Sequence, residues 1–128
     1  PPAPSSGEFD VPLTSLEGIE FVNKFGKKGV FTFSASGSWK ADPTWDWYCT
    51  PPGVPNSPYQ KYMKYPNNTT FAVLAVNKQT DKVLAEVGSE ATLTLEPGQI
   101  LSFKVNDLPA CYGDNTGKMT IRWSFKPI

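Results

Sequence analysis

Asn106-Asp107-Leu108-Pro109-Ala110-Cys111-Tyr112-Gly113-Asp114-Asn115-Thr116-Gly117 concentrates two carboxylates, two carboxamides and approachable backbone carbonyls in one short segment. A hard cation such as Ca²⁺ takes several oxygens of mixed charge in a flexible geometry, so the segment is a candidate calcium loop. The same residue types also make ordinary turns between strands. A second segment carries different chemistry. From Trp39 to Tyr59 the chain has no strand period but holds Trp39, Trp45 and Trp47 among Asp42, Asp46 and Asn56. Aromatic rings beside polar groups suit a pyranose, which offers an apolar C–H face to stack and a rim of hydroxyls to bond. The alternative is that these tryptophans cap the core.

Composition removes several kinds of chemistry. The 128 residues contain no histidine, which excludes imidazole bases, His-dependent triads and His-containing zinc sites. Twelve Lys+Arg balance twelve Asp+Glu, so no field favours phosphate backbones or an anionic membrane, and nucleic acid is excluded as a partner. The longest apolar run, Phe71 to Val76, is far below the roughly 20 residues that span a bilayer. Two cysteines cannot form a Cys₄ zinc site, and their count alone leaves a disulfide and two free thiols equally open.

These segments need a scaffold, and the periodicity supplies strands rather than helices: Gly29 to Ser34, Thr69 to Val76, Lys82 to Val87, Ala91 to Leu95, Ile100 to Asn106 and Lys118 to Phe125. In the last run Met119, Ile121, Trp123 and Phe125 share one face, and Lys118, Thr120, Arg122 and Ser124 the other. Thirteen prolines and ten glycines weigh against long helices. The predicted fold is all-β, an antiparallel β-sandwich of about seven or eight strands. Its length allows one domain, over 9–128, preceded by a Pro/Ser-rich linker or tail over 1–8. Such a chain is expected as a C-terminal module of a longer protein or as a mature secreted form. Minor features read as local structure: the sequons at Asn67 and Asn68 as a turn, Lys24, Lys27 and Lys28 as a solvated loop, and Tyr59, Tyr62 and Tyr65 as a short buried turn.

The run Val105 to Gly117 resembles the calcium loop of the PA-IL-like family of galactophilic, calcium-dependent bacterial lectins, whose pattern is Asn-Asp, an apolar residue, Pro, two residues, Tyr-Gly, an Asn pair, Ser and Gly. Gly37-Ser38-Trp39-Lys40-Ala41-Asp42-Pro43-Thr44, followed by Trp47, is similar to that family's first calcium-binding loop and its aromatic near the sugar. Together the matches cover about a fifth of the chain, and the resemblance implies a jelly-roll-like sandwich of the galactose-binding-domain kind. The resemblance implies a Ca²⁺ cofactor held by the side chains of Asp107, Asp114 and Asn115 and by the carbonyls of Ala41 and Cys111. It implies a glycan partner of galactose type, two of whose hydroxyls complete the coordination. Asp42, Trp45, Trp47, Asp107, Leu108, Asp114 and Asn115 are then the sugar-contacting residues.

Two departures from the family pattern bear on this reading. The loop Thr50 to Gln60 lacks the histidine with which galactose-binding relatives read the primary hydroxyl, and Asp114 replaces the first carboxamide of the family's pair. Cys111 stands at a threonine-type position; because only its carbonyl is implied in metal binding, its side chain is free to bridge Cys49. That disulfide would anchor the aromatic loop against the calcium loop and preorganise the site. The expectation is therefore a secreted or cell-surface lectin or carbohydrate-binding module, not an enzyme, without membrane insertion. Several copies would act together, through homo-oligomerisation or a multidomain parent chain. The alternatives are a glycoside hydrolase fragment pairing Asp42 or Asp46 with Asp107 or Asp114, and a structural or protein-binding sandwich.

Overall fold

The computed structural model describes residues 5–88 and 90–128. Eight strands make up nearly all of its regular structure: β1 (Ser6–Asp10), β2 (Ile19–Val22), β3 (Gly29–Lys40), β4 (Val73–Asn77), β5 (Lys82–Glu86), β6 (Glu90–Leu95), β7 (Ile100–Val105) and β8 (Thr116–Pro127). They form two four-stranded antiparallel sheets, in the orders β1-β8-β3-β6 and β2-β7-β4-β5. The all-β sandwich expected from the periodicity is the fold observed.

Alternation along the strands builds the core between the sheets. Phe31, Phe33 and Ala35 of β3 and Met119 and Ile121 of β8 face Leu101, Phe103 and Val105 of β7 and Val73 and Ala75 of β4. The ring centroids of Phe33 and Phe103 lie 4.8 Å apart across that interface, and those of Phe21 and Phe33 5.3 Å. β7 from Leu101 onward and the first four residues of β4 are buried on both faces, since a second cluster of Tyr65, Ala72, Leu74 and Val76 covers the outside of their sheet.

Two strands escape the periodicity. β1 has Phe9 as its one large apolar residue, and β2 is a four-residue edge strand. Residues 6–8, read as tail, pair with Arg122, Trp123 and Ser124 of β8; the start of that tail lies outside the described residues. The tyrosine turn is a 3₁₀ turn at Gln60–Tyr62, but only Tyr65 is buried, whereas Tyr59 and Tyr62 are exposed.

β3 and β8 are the longest strands, and both run past the core to the loops of interest. They pair from Gly29↔Pro127 to Lys40↔Thr116, which delivers the Ala41 loop and the Asn106–Asn115 loop to the same end of the sandwich. The final pairs depend on glycine. Gly117 has φ +120°, and a Cβ there would lie 2.6 Å from the Ser38 carbonyl oxygen. Gly113, in the same loop, has open space at the Cβ position. We expect Gly113→Ala to change stability by no more than about 0.5 kcal/mol. Gly117→Ala should cost about 2 kcal/mol or more through strain and clash, as measured by urea unfolding.

Candidate functional site

The Asn106–Asn115 loop is held by side chains within and beside it. Asn106, fully buried at the end of β7, accepts from the Tyr65 amide through Oδ1 and donates from Nδ2 to the carbonyls of Tyr65, Asn68 and Thr69. Its backbone exchanges bonds with the neighbouring segment, Phe71 N–H to Asn106 O and Asn106 N–H to Ala72 O. From inside the loop, Tyr112 reaches back: its hydroxyl donates to the Val105 carbonyl at 2.7 Å and accepts from the Asp107 amide at 3.2 Å. Asn115 is tied down by donation from Nδ2 to the Leu13 carbonyl at 2.8 Å. The aromatic loop is closed at its base, where Trp39 and Cys49 exchange backbone bonds of 3.0 and 2.6 Å.

Between these loops lies a cleft of about 290 Å³ lined by Ala41, Asp42, Trp45, Asp107, Leu108, Cys111 and Asp114, with Tyr59 and Phe71 completing it. The structure thus brings together residues from both segments singled out in the sequence. Trp47 stands behind the cleft wall, stacked on Trp45 with centroids 4.8 Å apart and 44% exposed. Trp39 is fully buried and belongs to the core. Asn115 is buried beside the cleft, facing the segment around Leu13.

Asp107 is the unusual group. It is 1% exposed; Oδ1 accepts from the Leu108 amide at 2.7 Å, but Oδ2 has no hydrogen-bond partner. The Oδ1 of Asn115 is likewise buried and unbonded. Burial pushes the Asp107 carboxyl up to about 6, reinforced by the negative charge of Asp114 and opposed by the Leu108 amide and the Asn115 carboxamide. Asp42 differs, with Oδ1 accepting from both the amide and the hydroxyl of Thr44, bonds that hold its carboxyl below the ordinary range.

A calcium ion fits this donor set by chemistry. Buried oxygens normally find partners, so the unbonded Asp107 Oδ2 and Asn115 Oδ1 are free to receive a cation. A bare Ca²⁺ approaches oxygen to roughly 2.3–2.6 Å, closer than a water molecule can. Among the described residues no group of three or more His, Cys, Asp or Glu is placed to hold a metal. Two carboxylates, a carboxamide and two carbonyls remain, and oxygens of this kind are what calcium uses.

The expected Cys49–Cys111 disulfide is not formed. Both cysteines are free, Cys49 buried and Cys111 exposed. The bridge to Trp39 fixes Cys49 in the core, where burial pushes its thiol up to about 11. Hydrogen bonds from Asn106, Tyr112 and Asn115 hold the loop instead. Sequence reading also missed Phe71. It sits in an apolar run read as strand, yet it has φ +63°, a bulky residue in left-handed backbone, and lines the cleft. No motif marks it. Tyr59 carries a signal, an aromatic in the long excursion, and it lies exposed at the cleft instead of in the buried turn its spacing predicts.

The architecture is an antiparallel β-sandwich with paired loops and an aromatic-walled cleft at one end. Among solved structures, the chain is similar to the N-terminal domain of EclA, a PllA-like lectin, with a TM-score of 0.65 and 18% sequence identity over 94% of this chain and 95% of that one. At that identity the likeness establishes the shared fold. No family model matches the chain, and no curated protein matches it.

The Asp107 carboxyl has a measurable consequence without metal. Its folded value of about 6 lies above the ordinary carboxylate value of about 4, so the folded state binds the proton more tightly. Stability is therefore lost as pH rises from about 4 to 6, by about 3 kcal/mol in total. In EDTA, Asp107→Asn should be more stable than wild type above pH 6, and the two should converge below pH 4, as followed by urea unfolding across pH.

Proposed function

We propose that this domain is a calcium-dependent lectin or carbohydrate-binding module of the PA-IL-like kind. The observation that carries this reading is the pair of buried, unbonded oxygens, Asp107 Oδ2 and Asn115 Oδ1, next to an aromatic-walled cleft. Asp107, Asn115 and Asp114 would hold the ion with their side chains, and Ala41 and Cys111 with their carbonyls. When bound, Ca²⁺ supplies a positive centre that accepts neutral hydroxyl oxygens in place of water.

The protein's own groups divide the remaining work. Tyr112 and Asn106 hold Asp107 in position before any ligand arrives, which lowers the ordering cost of binding. Trp45, backed by Trp47, offers an apolar wall for a sugar C–H face, and Leu108 lines the cleft beside it. Asp42 adds a carboxylate in the same cleft, a hydroxyl acceptor. Galactose-type sugars are the first class to test, read without the family's histidine.

A binding role is favoured over the paired-carboxylate hydrolase. Asp107 has a value suited to a general acid, but at 1% exposure it is too enclosed to reach a glycosidic oxygen directly. Of the other candidate acids, Asp46 is exposed and does not line the cleft, whereas Asp42 and Asp114 do; the Asp42 carboxyl, held below the ordinary range by Thr44, is a poor proton donor to a leaving group. A shallow site gives modest affinity per sugar, so we infer display in several copies, by homo-oligomerisation or within a longer secreted or cell-surface chain.

A glycan array probed with calcium and with EDTA tests the proposal. Binding should appear only with calcium and be lost by at least tenfold in Asp107→Asn and Asp114→Asn. Trp45→Ala, which removes the ring that lines the cleft, should weaken it severalfold, in line with one lost aromatic contact of about 1 kcal/mol. Glycan binding unchanged by EDTA would contradict it, as would release of reducing sugar that Asp107→Asn abolishes.

A further inference from the structure

The outer face of the β2-β7-β4-β5 sheet carries a second polar cavity. Ser102 and Lys104 of β7 lie opposite Val76 and Leu74 of β4, on the side away from Phe103. Over them is a cleft of about 240 Å³ walled by Glu17, Lys64, Lys78, Asp81, Ser102 and Lys104. None of these residues lines the loop-end cleft.

Lys104 is the anomaly. It is 4% exposed, and a buried ammonium is costly unless an acid or several acceptors meet it. The neighbouring charges are already matched: Lys64 with Asp81 at 3.4 Å, and Lys78 with Glu17 at 3.4 Å and Glu20 at 3.9 Å. Ser102 donates its hydroxyl to the Glu17 carbonyl. Lys104 has a neutral partner, the Tyr65 hydroxyl at 2.9 Å, which itself donates to Asp81 Oδ1 at 2.7 Å. Three donors and one uncharged acceptor leave the ammonium short of partners, and it faces a cavity.

We propose that this cleft is a second ligand site, for a small hydroxylated carboxylate of the uronic-acid type. The carboxylate meets Lys104 directly, where the ammonium's hydrogen bond now goes to the neutral Tyr65 hydroxyl and Asp81 is reached only through that hydroxyl. The ionised carboxylates of Glu17 and Asp81 accept hydrogen bonds only, so they favour ligand hydroxyls and repel a second negative group. A more highly charged anion such as phosphate is disfavoured by the same two acids. The volume, below the roughly 300 Å³ of ordinary drug-sized pockets, restricts the ligand to about one sugar ring. The site is independent of calcium.

The test is ¹H–¹⁵N shift mapping of the intact chain in EDTA, titrated separately with glucuronate, glucose, acetate and inorganic phosphate. Glucuronate should perturb the Ser102 and Lys104 amides and saturate at a concentration at least about tenfold lower than acetate or phosphate, while glucose perturbs neither. Lys104→Met, a swap of similar volume, should abolish the response and leave the Asp107 amide unshifted. Glu17→Gln, at an exposed position that leaves the fold intact, should weaken it severalfold. The proposal is overturned if glucuronate leaves these amides unmoved, if its effect survives Lys104→Met, or if acetate and phosphate act equally well. Since calcium is absent throughout, failure here is separate from failure of the loop-end site.

Discussion

A carboxylate enclosed by protein, with one oxygen unbonded, is stable only if it is protonated or if a cation reaches it, and Asp107 is held in that position. The surrounding architecture follows from keeping it there. Asn106 joins the end of β7 to the segment around Tyr65, Tyr112 hooks the loop back onto Val105, and Lys64 donates its amide to the Asp107 carbonyl. The pairing of β3 with β8 carries the Ala41 loop to the same place. Desolvation is the largest influence on the Asp107 carboxyl and works against its charge. The loop therefore carries an energetic cost that a bound cation would offset.

Strain and aromatic packing meet at the same end of the fold. Phe71 holds a left-handed backbone while its ring packs against Trp39, Trp45 and Trp47 at centroid distances of 5.6, 6.0 and 6.2 Å. That contact connects a fully buried tryptophan to an exposed one through a single ring, so the cleft wall is continuous with the core. A rigid wall loses little entropy on binding, which matters for a shallow site. Residues in unfavourable backbone regions gather at functional sites more often than elsewhere, and Phe71 fits that tendency.

The strands with clear alternation were legible because one face is buried: Met119 and Ile121 point into the core and Lys118 and Arg122 out of it. β1 was not, since Phe9 alone cannot set a period, and its identity depends on pairing with a strand more than a hundred residues away. The residues around the cleft were legible by type, as an oxygen-rich loop and an aromatic excursion. Their supports were not, because Asn106 works through carbonyls of Tyr65, Asn68 and Thr69 that no local pattern connects to it. The cysteine pairing misled for the same reason, as the Trp39 bridge that fixes Cys49 is a long-range fact. Lys104 lay within an ordinary strand pattern, and its burial comes from Tyr65 covering the sheet.

Calorimetric titration of Ca²⁺ into metal-free protein, carried out at pH 7.5 and pH 5 in buffers of different ionisation enthalpy, addresses the role of Asp107 most directly. The expected result is saturable binding of one ion per chain, tighter at pH 7.5, with net proton release at pH 5 because the carboxyl must deprotonate to receive the metal. Absence of binding at both pH values, or binding that Asp107→Asn leaves unchanged, would contradict it.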